Sequence, residues 1–309
     1  MKERIVFMGS DEISSKYLIS LIQNNFNIVA VYTYPPKKKG RGMKIKNSLV
    51  HSIADKNNIA VYYPTNLNIE EKINEFKVLK PDIAIVMGYG LLIPYDFLKI
   101  PKFGFINIHV SLLPRWRGAS PIEYSILNGD QKTGITIFQI EKSLDTGPII
   151  SSAMINIDKN IFKEDLTNKL NKIGASLLIN TLPKIFLNNI LLKKQDHSQA
   201  TYAKKINTEF RKINFNDKVN NVYNHIRAFS PKPSAWFFYK GNRINIIECS
   251  MKFCNSKPST ILNDQFHIGC LGGKIIPKII QREGKKPMVI KEFLKGFKFK
   301  INQKVNAKI

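Results

Sequence analysis

The stretch Phe105-Ile106-Asn107-Ile108-His109 decides the fold, because a short apolar run rich in β-branched residues is typical of a strand buried in a parallel sheet. Asn107 and His109 are two residues apart, so their side chains share one face of this strand, at the end where the chain leaves the sheet. In open α/β sheets, ligands bind in the crevice outside the carboxyl ends of the strands. The stretch therefore predicts a polar site at the edge of an α/β sheet.

The sequence around this strand predicts two domains of different class. Apolar runs predict strands at 5–8, 27–32, 83–87, 134–140 and 148–157, and a period near 3.6 residues predicts helices after residue 13 and at 164–188. Past residue 206, one amphipathic helix precedes short strands with Gly and Asn turns at 235–239, 244–250, 265–271 and 274–280. We predict a Rossmann-like domain with a mostly parallel sheet at 1–188, a basic linker at 189–206, and a small OB-like β-barrel domain at 207–309.

The composition is that of an ordinary water-soluble protein. The chain has 309 residues, 43% of them hydrophobic, which is ample for two buried cores. The first strand starts at Ile5, which leaves no room for a signal or transit peptide, and no apolar stretch is long enough to span a membrane, so we expect a cytoplasmic protein. Cys249, Cys254 and Cys270 are odd in number and lack metal-ligand spacing, so we expect free thiols and no metal.

The net charge of +25 is concentrated toward the C-terminus. From residue 184 onward there are 25 lysines and arginines against 7 acidic residues. Such an excess attracts a polyanion through its phosphates without reading its sequence. The alternative is compositional, because the chain is rich in Lys, Asn and Ile throughout and some lysines then only decorate a solvated surface.

Asn107, His109 and a carboxylate provide the groups needed for transfer of an acyl group, such as a formyl group, to an amine. The attack creates a tetrahedral oxyanion, which an amide N–H and an imidazolium N–H can stabilise. Asp145 is the candidate carboxylate, because Asp-Thr-Gly-Pro is turn chemistry that places it on a loop. On chemistry alone, a lone histidine at a strand end is more often a structural residue, and Asp-Thr-Gly is commonly only a turn.

Four motifs of this region resemble the signature of the 10-formyltetrahydrofolate-dependent formyltransferases. They are Asn107-Ile108-His109, Ser111-Leu112-Leu113-Pro114, Arg115-Trp116-Arg117-Gly118-Ala119 and Leu144-Asp145-Thr146-Gly147. The similarity extends over nearly the whole chain, through Gly40-Arg41-Gly42, Gly88-Tyr89-Gly90-Leu91, Thr201-Tyr202-Ala203, Ile226-Arg227-Ala228-Phe229 and Gly284-Lys285-Lys286. The chain departs from the family at Val110, where a small residue is usual, and at Gly9-Ser10-Asp11-Glu12, which replaces a Gly-Thr-Pro-Asp-like turn.

The resemblance implies a reaction and a set of roles. Arg-Trp-Arg-Gly-Ala followed by Pro121-Ile122 is similar to the members that formylate methionyl-tRNA, which implies a monomer that moves the formyl group of the co-substrate 10-formyltetrahydrofolate to the α-amine of initiator methionyl-tRNA in translation initiation. Asn107 would be the oxyanion donor, His109 the electrostatic stabiliser and proton relay, and Asp145 the orienter and proton acceptor through water. The 1–188 domain would be catalytic, and the 207–309 domain would bind tRNA.

The resemblance also assigns binding residues. Those for the folate are Gly88, Tyr89, Gly90, Leu91, Leu92, Ser111, Leu112, Leu113, Pro114 and Leu144; without the resemblance, the glycines predict only a loop before a helix. Those for the tRNA are Arg41, Lys37, Lys38, Lys39, Lys44, Lys204, Lys205, Arg227, Lys285 and Lys286. The stretch 34–46 predicts an exposed basic loop, which the resemblance places at the acceptor end of the tRNA with Arg41 on the family's key arginine; the alternative is a solvated loop without a role.

Two other functions share parts of this pattern. A formyltransferase acting on an amino-sugar nucleotide or another small amine would keep Asn107, His109 and Asp145 but would not need the Arg41 loop or the basic C-terminal region. A non-enzymatic tRNA-binding protein would keep the charge and would tolerate loss of the three site residues. Formylation of methionyl-initiator tRNA is the function that uses all of these features.

Overall fold

A computed structural model describes residues 2–39 and 44–306 of the chain. The chain forms two compact units, and each is built from several segments. The first unit comprises Met1–Arg117, Gly134–Ile155 and Lys169–Tyr202, and the second comprises Gly118–Thr133, Asn156–Asn168 and Ala203–Ile309. The domain boundaries near residues 188 and 207 stay a prediction.

The elements up to residue 203 are, in chain order, β1 (Ile5–Gly9), α1 (Glu12–Gln23), β2 (Ile28–Tyr32), β3 (Lys37–Lys39), β4 (Lys44–Lys46), α2 (Leu49–Lys56), β5 (Ala60–Tyr62), α3 (Glu70–Val78), β6 (Ile83–Met87), α4 (Tyr95–Leu98), β7 (Phe105–His109), β8 (Arg117–Gly118), α5 (Pro121–Leu127), β9 (Lys132–Gln139), β10 (Ile149–Asn156), α6 (Lys163–Phe186) and β11 (Tyr202–Ala203). The elements that follow are α7 (Val219–Phe229), β12 (Ala235–Tyr239), β13 (Asn242–Phe253), β14 (Ile268–Cys270), β15 (Gly273–Arg282), β16 (Met288–Val289) and α8 (Ile290–Gly296).

The main sheet of the first unit has the strand order β10-β9-β7-β6-β1-β2-β5. The pairs from β7 to β5 are parallel, and β9 joins β7 antiparallel. Strands β1 and β6 are buried along their whole length, which explains their uninterrupted apolar sequences. The predicted α/β domain with a mostly parallel sheet is confirmed. Because β1, β2, β6 and β7 run the same way, the residues that follow them meet at one edge of this sheet.

The basic stretch 34–46 contains strands that its sequence does not predict. Lys37–Lys39 and Lys44–Lys46 pair antiparallel, where we expected an irregular loop. The lysines give no alternation of apolar and polar residues, but backbone pairing of an exposed hairpin needs none. Arg41 lies outside the described residues, and so do Gly40 and Gly42.

The second unit contains an antiparallel half-barrel, which confirms the predicted second fold class. Its strands follow the order β12-β13-β15-β14, and β16 pairs with β15. Helix α7 packs on β13, and α5 packs on α7. In the aromatic run of β12, three of the four rings are core, and Phe238 alone of the four is exposed, by 39%. Within the described part of the chain, the search for a helix with the length and apolarity of a membrane span finds none.

Candidate active site

His109 and Asp145 form a buried pair in the first unit. His109 ends β7 and lies opposite Thr136 of β9, while the half-buried Asn107 lies opposite Phe138 on the same face of β7. The His109 Nδ1 and Asp145 Oδ2 atoms are 3.7 Å apart, and both side chains are largely shielded from water. This distance is longer than a hydrogen bond.

A second acceptor holds the other nitrogen of the His109 ring. Nε2 lies 2.8 Å from the carbonyl oxygen of Trp116, which can only accept a hydrogen bond. The ring therefore lies between the Trp116 carbonyl oxygen and the Asp145 carboxylate. The backbone of Trp116 has φ 58°, a left-handed conformation that is uncommon outside glycine. This geometry suits an imidazole that stabilises negative charge.

The loop that carries Asp145 is held from two sides. Asp145 itself has a left-handed backbone, with φ 52°. The buried Gln195 donates from Nε2 to the carbonyl oxygen of Asp145 at 2.9 Å and to that of Gly147 at 2.7 Å. On the other side, a Cβ atom at Gly147 would lie 1.8 Å from the Gln139 carbonyl oxygen, so only glycine fits there. The carboxylate thus projects from a fixed backbone.

The turn between His109 and Trp116 is ordered by hydrogen bonds of short polar side chains. Ser111 donates its hydroxyl to the Arg115 carbonyl oxygen at 2.6 Å. Thr136 of β9 donates to the Ser111 carbonyl oxygen at 2.7 Å and accepts from the Leu113 amide at 3.1 Å. These bonds fix the turn against β9 and thereby place the Trp116 carbonyl next to the His109 ring.

The residues after β6 form a second part of the same sheet edge. Gly88 and Gly90 have φ values of 60° and 81°, which favour glycine. A Cβ atom at Gly88 would lie 2.5 Å from the Asp11 carboxylate, and one at Gly90 would lie 1.6 Å from the Tyr34 hydroxyl. Asp11 also caps α1 through the Ser14 amide at 2.7 Å. The turns that follow β1, β2 and β6 therefore meet here.

The ten predicted folate residues differ in what they expose. Leu92 and Leu144 are 86% and 66% exposed and present free apolar surface. The side chains of Tyr89, Ser111 and Leu113 are buried, so Tyr89 has only its backbone to offer and the Ser111 hydroxyl serves the turn. Leu91, Leu112 and Pro114 are half-buried. Backbone groups and the exposed leucines are therefore what these residues offer to a ligand.

The predicted tRNA residues include one correction. Lys37, Lys204, Lys205, Lys285 and Lys286 are exposed, as a phosphate contact requires. Of Lys38, Lys39 and Lys44, only the backbone is described. Arg227 does not meet this requirement, because this residue is only 3% exposed.

The Arg227 guanidinium is a structural group of the second unit. It donates to the Ile161 carbonyl oxygen at 2.7 Å and to Asn224 Oδ1 at 2.6 Å. Burial lowers its pKa. Its place within the apolar period of α7 was the signal that this cation faces inward.

Sequence reasoning missed the residues that support the site. Trp116 and Arg117 belong to a motif that carries the resemblance, but nothing in the motif shows that a backbone oxygen is the functional group. Thr136 lies inside a predicted strand, and Gln195 lies in a stretch predicted as a linker. These two residues reach the site through tertiary contacts, which no local pattern encodes.

Comparison with known proteins defines the class. A family model described as formyl transferase matches residues 3–182, and one described as formyl transferase C-terminal domain matches residues 205–298. The chain belongs to the formyl transferase family.

Individual relatives and a solved structure are similar to this chain over most of their length. The chain is 42% identical over 295 residues to methionyl-tRNA formyltransferase of Wolbachia sp. subsp. Drosophila simulans (strain wRi), with 96% of this chain and 97% of that one covered. It is 41% identical over 303 residues to methionyl-tRNA formyltransferase of Ehrlichia ruminantium (strain Gardel), with 96% and 98% covered. Among solved structures, the N-formyltransferase of Helicobacter canadensis with folinic acid and dTDP-3-aminofucose matches with a TM-score of 0.68 and 25% identity, over 90% of this chain and 99% of that one.

Proposed function

We propose that this chain transfers the formyl group of 10-formyltetrahydrofolate to the α-amine of methionyl-initiator tRNA, as a cytoplasmic monomer. The observation that carries the proposal is the His109 ring held between the Trp116 carbonyl and the Asp145 carboxylate, with Asn107 on the same strand face. Full-length similarity to proteins named methionyl-tRNA formyltransferase supports the choice of acceptor.

The chemistry follows from these three side chains. The neutral amine attacks the formyl carbon, its nitrogen forms the new C–N bond, and the carbonyl electrons move to oxygen. The Asn107 amide and the His109 imidazolium stabilise that oxyanion. Because Nε2 is already bonded to the Trp116 carbonyl oxygen, Nδ1–H is the donor that remains for the oxyanion, on the side of the ring that faces Asp145. Asp145 accepts the proton of the attacking amine through water, and the folate nitrogen takes up a proton as its bond to the formyl carbon breaks.

The two substrates would use different surfaces. The left-handed turns at Gly88 and Gly90 bring backbone to the sheet edge, and Leu92 and Leu144 offer exposed apolar surface to a flat ring. The exposed Lys204, Lys205, Lys285 and Lys286 suit contacts with tRNA phosphates. Lys37, whose Nζ lies 4.8 Å from the centre of the Tyr34 ring, precedes the undescribed residues around Arg41.

One assay tests the proposal against its rivals. Purified protein is incubated with 10-formyltetrahydrofolate and, in separate reactions, methionyl-initiator tRNA, free methionine and a dTDP-amino sugar. We expect formylation of methionyl-initiator tRNA with a kcat/KM far above that of the two small amines. Preferred formylation of the amino sugar would replace the acceptor, and tRNA binding without formylation would reject the enzymatic function.

A substitution at Gly90 tests the folate surface. We expect Gly90→Val to raise the KM for folate more than that for tRNA, because the new side chain would crowd the turn that approaches the pterin. Paired saturation kinetics would measure both constants on a variant shown to be folded by its melting curve.

Two further variants separate the causes. Gly272→Val has the same left-handed backbone, with φ 72° and no neighbour within 4 Å of the added Cβ, so it controls for backbone strain. Adding Tyr34→Phe removes the hydroxyl that a Cβ at Gly90 would meet. If Gly90→Val in the Tyr34→Phe background recovered the wild-type folate KM, the glycine would serve the Tyr34 contact instead of the folate.

Two variants distinguish a cation that stabilises the fold, Arg227, from a cation that we expect to bind tRNA, Lys286. We expect Arg227→Met to lower the free energy of unfolding by ~1–3 kcal/mol, because the Ile161 carbonyl loses its buried donor. Lys286→Met should leave stability unchanged, weaken tRNA binding and lower the slope of log K against log salt by about one. Denaturant unfolding and salt-dependent binding measure the two effects. Equal stability of both variants would contradict the assignment of Arg227.

A further inference from the structure

Gln195 joins the two backbone segments that flank the His109 ring. Its Nε2 donates to the carbonyl oxygens of Asp145 and Gly147, as described above. Its Oε1 accepts from Arg117 Nη2 at 2.7 Å and from Nε at 3.2 Å. Arg117 directly follows Trp116, whose carbonyl oxygen meets the ring. The side chains of Gln195 and Arg117 are 7% and 2% exposed, so water competes little with these bonds.

The chemistry of the neighbours dictates a primary amide at this position. Arg117 can only donate, so the atom that faces it must be an oxygen. The two backbone carbonyls can only accept, so the atom that faces them must carry two hydrogens. A glutamate would bond to Arg117 equally well but would point an oxygen at two carbonyl oxygens. Arg117 is itself oriented by His197 Nδ1, which lies 3.0 Å from Nη2.

We propose that Gln195, oriented by Arg117, is a positioning residue that sets the Asp145 carboxylate against His109. Its two hydrogen bonds fix the backbone carbonyls on both sides of the Asp145–Gly147 turn, where Asp145 has a left-handed φ of 52°. When these two hydrogen bonds are lost, we expect the loop to relax and the Asp145 carboxylate to move away from the His109 ring. The effect on turnover rests on the proposed function, while the effect on the His109 ring does not.

Gln195→Glu is the test, because it keeps the shape and the contact with Arg117 and loses both donors. We expect kcat to fall by about 10²-fold, the scale of a misplaced catalytic group, while the KM values for both substrates stay near wild type. Gln265→Glu, the same change at an exposed position, should leave kcat unchanged. If Gln195→Glu does not fold, Gln195→Met removes the same donors without adding a charge and should lower kcat likewise. Wild-type kcat in a folded Gln195 variant would overturn the proposal.

A double-mutant cycle distinguishes positioning from general loss of structure. If Gln195 acts through the Asp145 carboxylate, Gln195→Glu should cause no further fall in kcat once Asp145 is alanine. A fall of the same size in both backgrounds would mean that Gln195 acts elsewhere, and would reject the proposed role.

A measurement without substrates separates this inference from the proposed function. The NMR resonance of the His109 ring, assigned with His109→Gln, should move at fixed pH in Gln195→Glu and stay in place in Gln265→Glu. An unmoved resonance in folded Gln195→Glu would overturn the positioning role. Failure of the wild-type protein to formylate methionyl-tRNA would instead reject the proposed function, and the NMR comparison would still decide the role of Gln195.

Discussion

Replacing Asn107, His109 or Asp145 by alanine is expected to lower turnover of formyl transfer by ~10²–10³-fold each, the usual cost of losing one preorganised group that stabilises an oxyanion. His109→Ala removes the ring that stands between the Trp116 carbonyl and the Asp145 carboxylate. Asp145→Ala keeps the backbone carbonyl that Gln195 binds, so its effect on turnover comes from loss of the carboxylate itself. Single-turnover kinetics with methionyl-initiator tRNA would measure the loss.

The combination of these variants carries further information. Residues that act as one unit lose activity non-additively, so His109→Ala with Asp145→Ala should be little slower than either alone. Binding of tRNA should persist in all of them, because none is a phosphate contact. His267→Ala, a half-buried histidine of the second unit, serves as the matched control and should keep its turnover. Near-wild-type turnover in any of the three alanine variants would remove that residue from the mechanism.

The main sheet and the placement of Asn107 and His109 on one strand face could be predicted because they follow local rules. The apolar runs of β1 and β6 are uninterrupted because both strands are buried along their whole length, and in β7 only Asn107 and His109 break the run. The period-2 geometry of β7 places Asn107 and His109 together, and parallel pairing brings the turn after β6 to the same edge. Turn chemistry made Asp145 a candidate, but only the resemblance linked it to His109, because no local pattern connects the two residues across the intervening sequence.

The sequence did not reveal the environment of residues whose contacts join distant segments of the chain. The sequence suggests that Arg227 is a surface cation in a basic region, but its guanidinium is buried and donates hydrogen bonds to Ile161 and Asn224. Gln195 lies in a stretch without apolar period, which predicts exposure, and tertiary contacts bury it instead. The carbonyl oxygen of Trp116 could not be found at all, because every residue has a carbonyl and only the fold decides which one meets the ring.

Arg41→Ala is expected to lower kcat/KM for methionyl-initiator tRNA by about 10²-fold, far more than it weakens binding. Arg41 itself lies outside the described residues, and the argument rests on its flanks and on the resemblance. The paired strands Lys37–Lys39 and Lys44–Lys46 give this basic stretch a defined backbone on both sides of residues 40–43. A loop that enters at the acceptor end can influence where the methionyl amine lies relative to the formyl carbon.

The matched control is Lys285→Ala, an exposed cation of the second unit. As a plain phosphate contact it should weaken binding of initiator and elongator methionyl-tRNA alike and reduce the salt slope by about one or less. Arg41→Ala should behave differently, because it changes the placement of the amine. We expect a lower kcat that raising the salt concentration does not cause in the wild-type protein, and a smaller preference for the initiator over the elongator tRNA. Kinetics on both tRNAs at two salt concentrations would compare the variants. If Arg41→Ala lost affinity uniformly and kept its selectivity, the stretch would be one more patch of positive charge, and its proposed role at the acceptor end would fall.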